Sequence, residues 1–123
     1  MHRIAFITGA IHAFLSVAFG AFGAHMVKDR ISADLMSTYQ TATDYQMYHA
    51  IGLFIVAFAS MHIGERRTIR YASRLFNIGI VIFSGSLYVL VMTGMKWLGA
   101  ITPIGGFAFL AGWICLLVSI RKN

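Results

Sequence analysis

The sequence predicts an all-α protein, an integral membrane bundle of four transmembrane helices. Two observations lead there. Hydrophobic residues make up 59% of the 123-residue chain and charged ones 11%, against about 45–50% and about 25% in soluble domains. A single small domain has too much surface for its volume to bury that excess. The apolar residues also gather in four stretches of about 20 residues, the length at which a helix crosses about 30 Å of hydrocarbon. The short alternating strands of a membrane barrel are missing.

The first span runs from Ile4 to about Val27. Arg3, the apolar run and the small residues of FGAFGA give it some likeness to a secretory signal. It is longer than a signal's apolar region and is interrupted by His12, so a retained helix is expected. The second span runs from about Tyr45 to Ile63. The segment before it has neither Gly nor Pro after Ser32, which can cap a helix beginning near Ala33. One long helix is therefore expected, polar and interfacial in its first turns and membrane-crossing in the rest. The third span covers about Leu75 to Met95 and the fourth about Ile101 to Ile120. Thr102 as N-cap with Pro103 in the first turn makes a well-formed helix start. Gly105 and Gly106 then let another backbone come close. Residues 1–123 form one domain.

Charge sets the expected orientation. The amino end, the second loop and the carboxyl end carry Arg3, Arg66, Arg67, Arg70, Arg74, Arg121 and Lys122; the opposite side carries Lys28, Arg30 and Lys96. Under the positive-inside rule both termini are cytoplasmic. The net charge of +6 thus reads as topology and headgroup contact. No nucleic-acid partner is expected, because the basic residues flank spans instead of lining one face.

Polar residues fall into three groups. Inside the spans, Thr8, His12 and Ser16 recur every four residues and share a face, and Asn77, Ser84 and Tyr88 fall within a narrow arc on the third helix. His12, Ser16, Asn77, Ser84 and Tyr88 form a candidate intramembrane stripe. Counted from the same side, His12 and Ser84 lie at similar depth. His12 has two readings: a neutral packing histidine held by hydrogen bonds, or a proton-relay or ligand group, since ionisable residues in spans are costly and often functional.

The second group is a candidate polar site at the outer interface: His25, Asp44, Tyr45, Gln46, Tyr48 and His49. It would anchor the second helix there and tie it to His25. Imidazole and carboxylate suit several metal ions, yet no recognised ligand spacing such as HExxH or CxxC is present, so no metal is expected. Cys115, the one cysteine, has no disulfide partner in the chain and suits apolar packing. The third group, Arg66, Arg70 and Arg74, forms a helical stripe that serves as a topology signal or contacts anionic lipid headgroups.

The segments GAFGAH (20–25), YQMYHA (45–50), FSGSLY (83–88), LGAITPIGG (98–106) and GW (112–113) resemble, in the same order and over nearly the whole chain, the YwdK/YgdD-type family. That is a family of small multi-span bacterial membrane proteins grouped under a domain of unknown function. One local departure is Met26, where the family commonly has glycine. The resemblance implies a multi-span plasma-membrane protein and brings no reaction, cofactor or catalytic residue.

The expected function is accordingly non-enzymatic: an envelope protein that binds lipid or a partner and supports membrane integrity. No cofactor is implied. The partners expected are the lipid bilayer, anionic headgroups and, as a possibility, further copies of the chain. One alternative is an oligomeric transporter or channel component for small solutes. Another is a haem- or quinone-linked redox protein using His12 or the pair His25 and His49. Soluble-enzyme motifs (phosphate loop, dinucleotide fingerprint, nucleophile elbow) are absent from the sequence. No Asp or Glu falls within the four spans as drawn.

Overall fold

The computed structural model describes residues 2–121; Lys122, counted above with the basic carboxyl end, lies outside them. The first apolar stretch folds as α1 (His2–Val17), a π-helical turn (Ala18–Gly23) and α2 (Ala24–Val27). The π turn, which the apolar pattern does not announce, is met by a side chain from the next helix. The Phe19 carbonyl accepts both the Ala24 N–H and, at 2.5 Å, the Tyr39 hydroxyl. Gly23 leaves room for that hydroxyl, which a Cβ there would strike.

Helix α3 (Ala33–Ile63) is unbroken over 31 residues, about 46 Å at the usual rise per residue. Ser32 caps it as expected, accepting from the Leu35 N–H at 3.3 Å. Gly64, at φ 83°, turns the chain into α4 (Arg67–Thr93), which closes on left-handed Gly94 at φ 72°. Such φ values carry little cost only for glycine. A short 3₁₀ segment (Lys96–Ala100) leads into α5 (Thr102–Ser119). Here the expected capping by Thr102 does not form. Ile101 holds the cap position without a side-chain bond, while the Thr102 hydroxyl meets the Ser86 hydroxyl of α4 at 2.6 Å. A partner across the helix interface has taken the group that a local cap would have used.

Neighbouring helices run antiparallel. Gly9 of α1 lies against Ala50 and Leu53 of α3, Gly52 against Phe76 of α4, and Gly105 of α5 against Phe83 of α4. Helix α3 thus sits between α1 and α4, and α5 packs on α4. Four helical stretches, His2–Val27, Ala33–Ile63, Arg67–Thr93 and Lys96–Ser119, are long and apolar enough to cross a membrane. One end of the bundle, called here the arginine-rich end, holds the start of α1, the α3–α4 turn and the end of α5. The other is the far end.

The core is filled: Leu53, Val56, Ile69 and Phe76 are fully buried. In lipid, apolar burial gives helices little reason to associate, so contact density and hydrogen bonds must hold them. Small residues supply the density. A Cβ on Gly105 would lie 2.5 Å from the Phe83 nitrogen, and one on Gly79 would lie 2.5 Å from the Phe109 ring.

Candidate functional site

Hydrogen bonds fix the depth of the polar stretch 41–50. Ser16, near the middle of the first span, donates to the Thr43 carbonyl at 2.8 Å; Ser84, nine residues before the far end of the third, donates to the Ala42 carbonyl at 2.7 Å. The stretch therefore begins two to three turns inside the far ends of its neighbours. The sequence reading began the second span at Tyr45 and put this stretch at the outer interface; the hydrogen bonds fix its register against the neighbouring helices. Propensity and composition mark where polar groups occur, but only packing says which helix stands opposite.

A chain of side chains joins three helices at this depth. The Asn77 amide nitrogen donates to Thr8 Oγ1 at 3.3 Å and to the Ser73 carbonyl at 3.1 Å. Its Oδ1 is then the acceptor facing His12 Nε2 at 3.2 Å. Tyr88 donates to Gln46 Oε1 at 2.7 Å, which leaves the Gln46 amide nitrogen to donate to His12 Nδ1 at 3.3 Å. Donor and acceptor roles thus run in one consistent sense, with His12 neutral and protonated on Nε2. Both its ring nitrogens face carboxamides. An amide has fixed donor and acceptor atoms, unlike the carboxylates and imidazoles of proton-conducting chains. This geometry suits a strut across α1, α3 and α4. Of the stripe read from sequence, His12, Asn77 and Tyr88 share the chain, and Ser16 and Ser84 bind α3 carbonyls beside it.

The six residues grouped at the outer interface do not form one site. His25 is exposed on α2 and makes no hydrogen bond among the described residues. Gly23 packs against Tyr39, and His49 lies ten residues further along α3, about 15 Å away along the axis. Gln46 belongs to the His12 chain. Asp44 and Tyr48 point outward, and both are exposed. Among the described residues, no group of three His, Cys, Asp or Glu side chains is placed to hold a metal ion.

His49 is the centre of a different arrangement. Its Nδ1 donates to the Tyr45 carbonyl at 2.8 Å, and its Nε2 accepts from the Trp113 indole at 3.0 Å. An indole N–H can only donate, so the tautomer follows. The imidazole lies flat on Phe109, with ring centroids 3.5 Å apart and planes 8° apart. Tyr45 stacks on Phe83 at 4.7 Å. Between α3 and α5 these rings floor a cavity of about 440 Å³, walled by Pro103, Gly106 and Leu110. It opens sideways: Phe107 and Leu110 at its rim are 69% and 61% exposed. Trp113, Phe109 and Gly106 did not stand out in the sequence as site residues. The usable signal was Trp113, whose N–H in an apolar span needs an acceptor.

At the arginine-rich end, the predicted stripe is divided. Arg66 precedes α4 and donates to the carbonyls of Ser119 at 2.9 Å and Arg121 at 3.1 Å. It therefore ties down the end of α5. Arg67, Arg70 and Arg74 are exposed and share one face of α4.

Four antiparallel spans, a buried polar strut and a sideways-opening aromatic groove define a polytopic membrane protein of the helix-bundle class. The chain belongs to the family described as protein of unknown function DUF423, whose model matches residues 19–106. It is 44% identical over 120 residues to UPF0382 membrane protein YwdK of Bacillus subtilis (strain 168), covering 98% of each chain. It is 43% identical to a UPF0382 membrane protein of Staphylococcus epidermidis, covering 98% of this chain and 97% of that one. No solved structure matches.

Proposed function

We propose that this protein is a non-enzymatic lipid-binding component of the bacterial plasma membrane, holding the apolar chain of a lipid in the groove between α3 and α5 and so supporting membrane integrity. The single observation that carries the reading is the groove itself. It is concave, aromatic and open to the side where lipid would lie. Both nitrogens of His49 are already engaged, so the surface offered to a ligand is apolar, which fits an acyl or isoprenoid chain. The exposed Arg67, Arg70 and Arg74 add a separate surface suited to anionic headgroups. With the arginine-rich end cytoplasmic, the groove lies toward the outer leaflet. That orientation predicts that a cysteine placed at Asp29 is labelled by an impermeant reagent in intact cells and one at Glu65 is not.

The filled core argues against a solute path through one copy, and the engaged nitrogens of His12 and His49 argue against haem ligation there. The test uses Gly106, which lines the groove and around which an added Cβ meets nothing within 4 Å. Gly106→Phe should fill the groove without disturbing helix packing. In native mass spectrometry from a mild detergent, the wild-type chain is expected to retain lipid mass and Gly106→Phe to lose it. Equal lipid retention by both, at equal thermal stability, would end the proposal.

A further inference from the structure

We infer that the outward face of α3 is the interface with a second copy of this chain, with Asp44 at its centre. The face is a stripe at Ser37, Thr41, Asp44, Tyr48, Ile51 and Ile55, stepping alternately by four and three residues. All are exposed except Thr41, which is half-buried. That is the spacing at which two helices meet along a seam with a slight left-handed crossing. The stripe is polar toward the far end and apolar toward the arginine-rich end.

Its depth is what demands a partner. Asp44 follows Thr43, which is level with Ser16 and Ser84. Met92 lies eight residues beyond Ser84, toward the far end, and is 74% exposed, about 12 Å further out. Ile4, twelve residues from Ser16 toward the other end, is 57% exposed. Apolar surface suited to lipid therefore extends on both sides of the Asp44 level. A carboxylate facing hydrocarbon is costly, and such groups turn toward protein or water. Within this copy the Asp44 carboxylate, Gln40 amide and Tyr48 hydroxyl have no hydrogen-bond partner among the described residues.

Gln40 and Tyr48 lie one turn to either side of Asp44. Each carries a donor where the carboxylate has only acceptors. Two copies related by a twofold axis along the membrane normal set this stripe against itself, with the two Asp44 residues level with each other and the Gln40 and Tyr48 donors of the facing copy one turn to either side. Ile51 and Ile55 continue the contact in apolar form. A single polar group in such a seam sets register. The stripe adjoins the groove at Tyr48, whose ring centroid lies 5.5 Å from that of Tyr45, and the contact between copies does not depend on lipid binding there.

Disulfide trapping in native membranes tests this. In a Cys115→Ala background, cysteines replace Thr41, Tyr48, Ile51 or Ile55, with Ile7 and Val81 as exposed controls on other helices. Cross-linked dimers are expected from the stripe positions and not from the controls. In vesicles, energy transfer between labelled copies should show Asp44→Leu weakening the dimer roughly 5- to 30-fold, the range one or two interhelical hydrogen bonds supply in membranes, while Asp44→Asn retains most of it. A chain that stays monomeric at all protein-to-lipid ratios would overturn the proposal. So would equal cross-linking at the controls, or a dimer indifferent to Asp44→Leu.

Discussion

Adjacent glycines at the start of α5 offer a controlled measurement of how this bundle is held. A Cβ on Gly105 would sit 2.5 Å from the Phe83 nitrogen, 2.8 Å from its Cβ and 2.9 Å from its Cα, whereas one on Gly106 meets nothing within 4 Å. The obstacle at Gly105 is backbone, which cannot rotate aside as a side chain can. Replacing each by alanine changes helix propensity alike, so that contribution cancels in the comparison. What is left is the cost of overpacking, about 1–3 kcal/mol. Gly105→Ala should therefore be less stable than Gly106→Ala by a factor of roughly 5 to 150 in the unfolding equilibrium. Unfolding by denaturing detergent in mixed micelles, followed by circular dichroism or a gel-shift readout, measures it. If the two variants unfold together, or Gly106→Ala is the weaker, then α4 and α5 are not in the close backbone contact described.

Three further outcomes follow from the hydrogen-bond geometry. His12→Leu leaves the Gln46 amide and Asn77 Oδ1 unpaired, at about 1–3 kcal/mol for each group; in a double-mutant cycle with Asn77→Leu the coupling should be about 0.6–2 kcal/mol, and strict additivity would remove His12 from the strut. Trp113→Phe keeps a ring but orphans His49 Nε2, lowering stability by about 1–3 kcal/mol. Adding His49→Phe, which removes the orphan, should restore part of that loss; a double variant weaker than the sum of the singles would refute the pairing. Arg66→Ala frees the carbonyls of Ser119 and Arg121, and faster hydrogen exchange over the last turn of α5, with no change in α1, is the expected sign.

The helices were legible because each is a long apolar run with visible boundaries. Ser32 and Gly94 act at helix ends as their chemistry requires, and Pro103 sits in the first turn of α5. What sequence could not supply was vertical register between helices. The stretch 41–50 looks interfacial because it is polar, and Asp44 then falls outside the spans as drawn. Register is set by pairs far apart in sequence, Ser16 with Thr43 and Ser84 with Ala42, and no local pattern encodes such pairs. His49 was picked out for its chemistry but assigned the wrong neighbour. Its partner, Trp113, is 64 residues away and lies in a span whose apolar residues give no face away. The π turn at Ala18–Gly23 escaped for the same reason, since the side chain that meets it, Tyr39, lies on another helix.

The placement of polar groups bears on where function can reside. A bundle in lipid needs internal hydrogen bonds to specify its register, and here the most conspicuous ones end on fixed partners. His12 is flanked by two amides; His49 is held between a carbonyl and an indole. A group already satisfied on every side has little capacity left for a substrate or an ion. Exposed surfaces with capacity to spare are the aromatic wall between α3 and α5 and the neighbouring Gln40, Asp44 and Tyr48 stripe of α3. Helix α3 thus presents three surfaces around its circumference, with the strut on one face, the groove on a second and the stripe on a third. Its 31 unbroken residues keep these in rigid register.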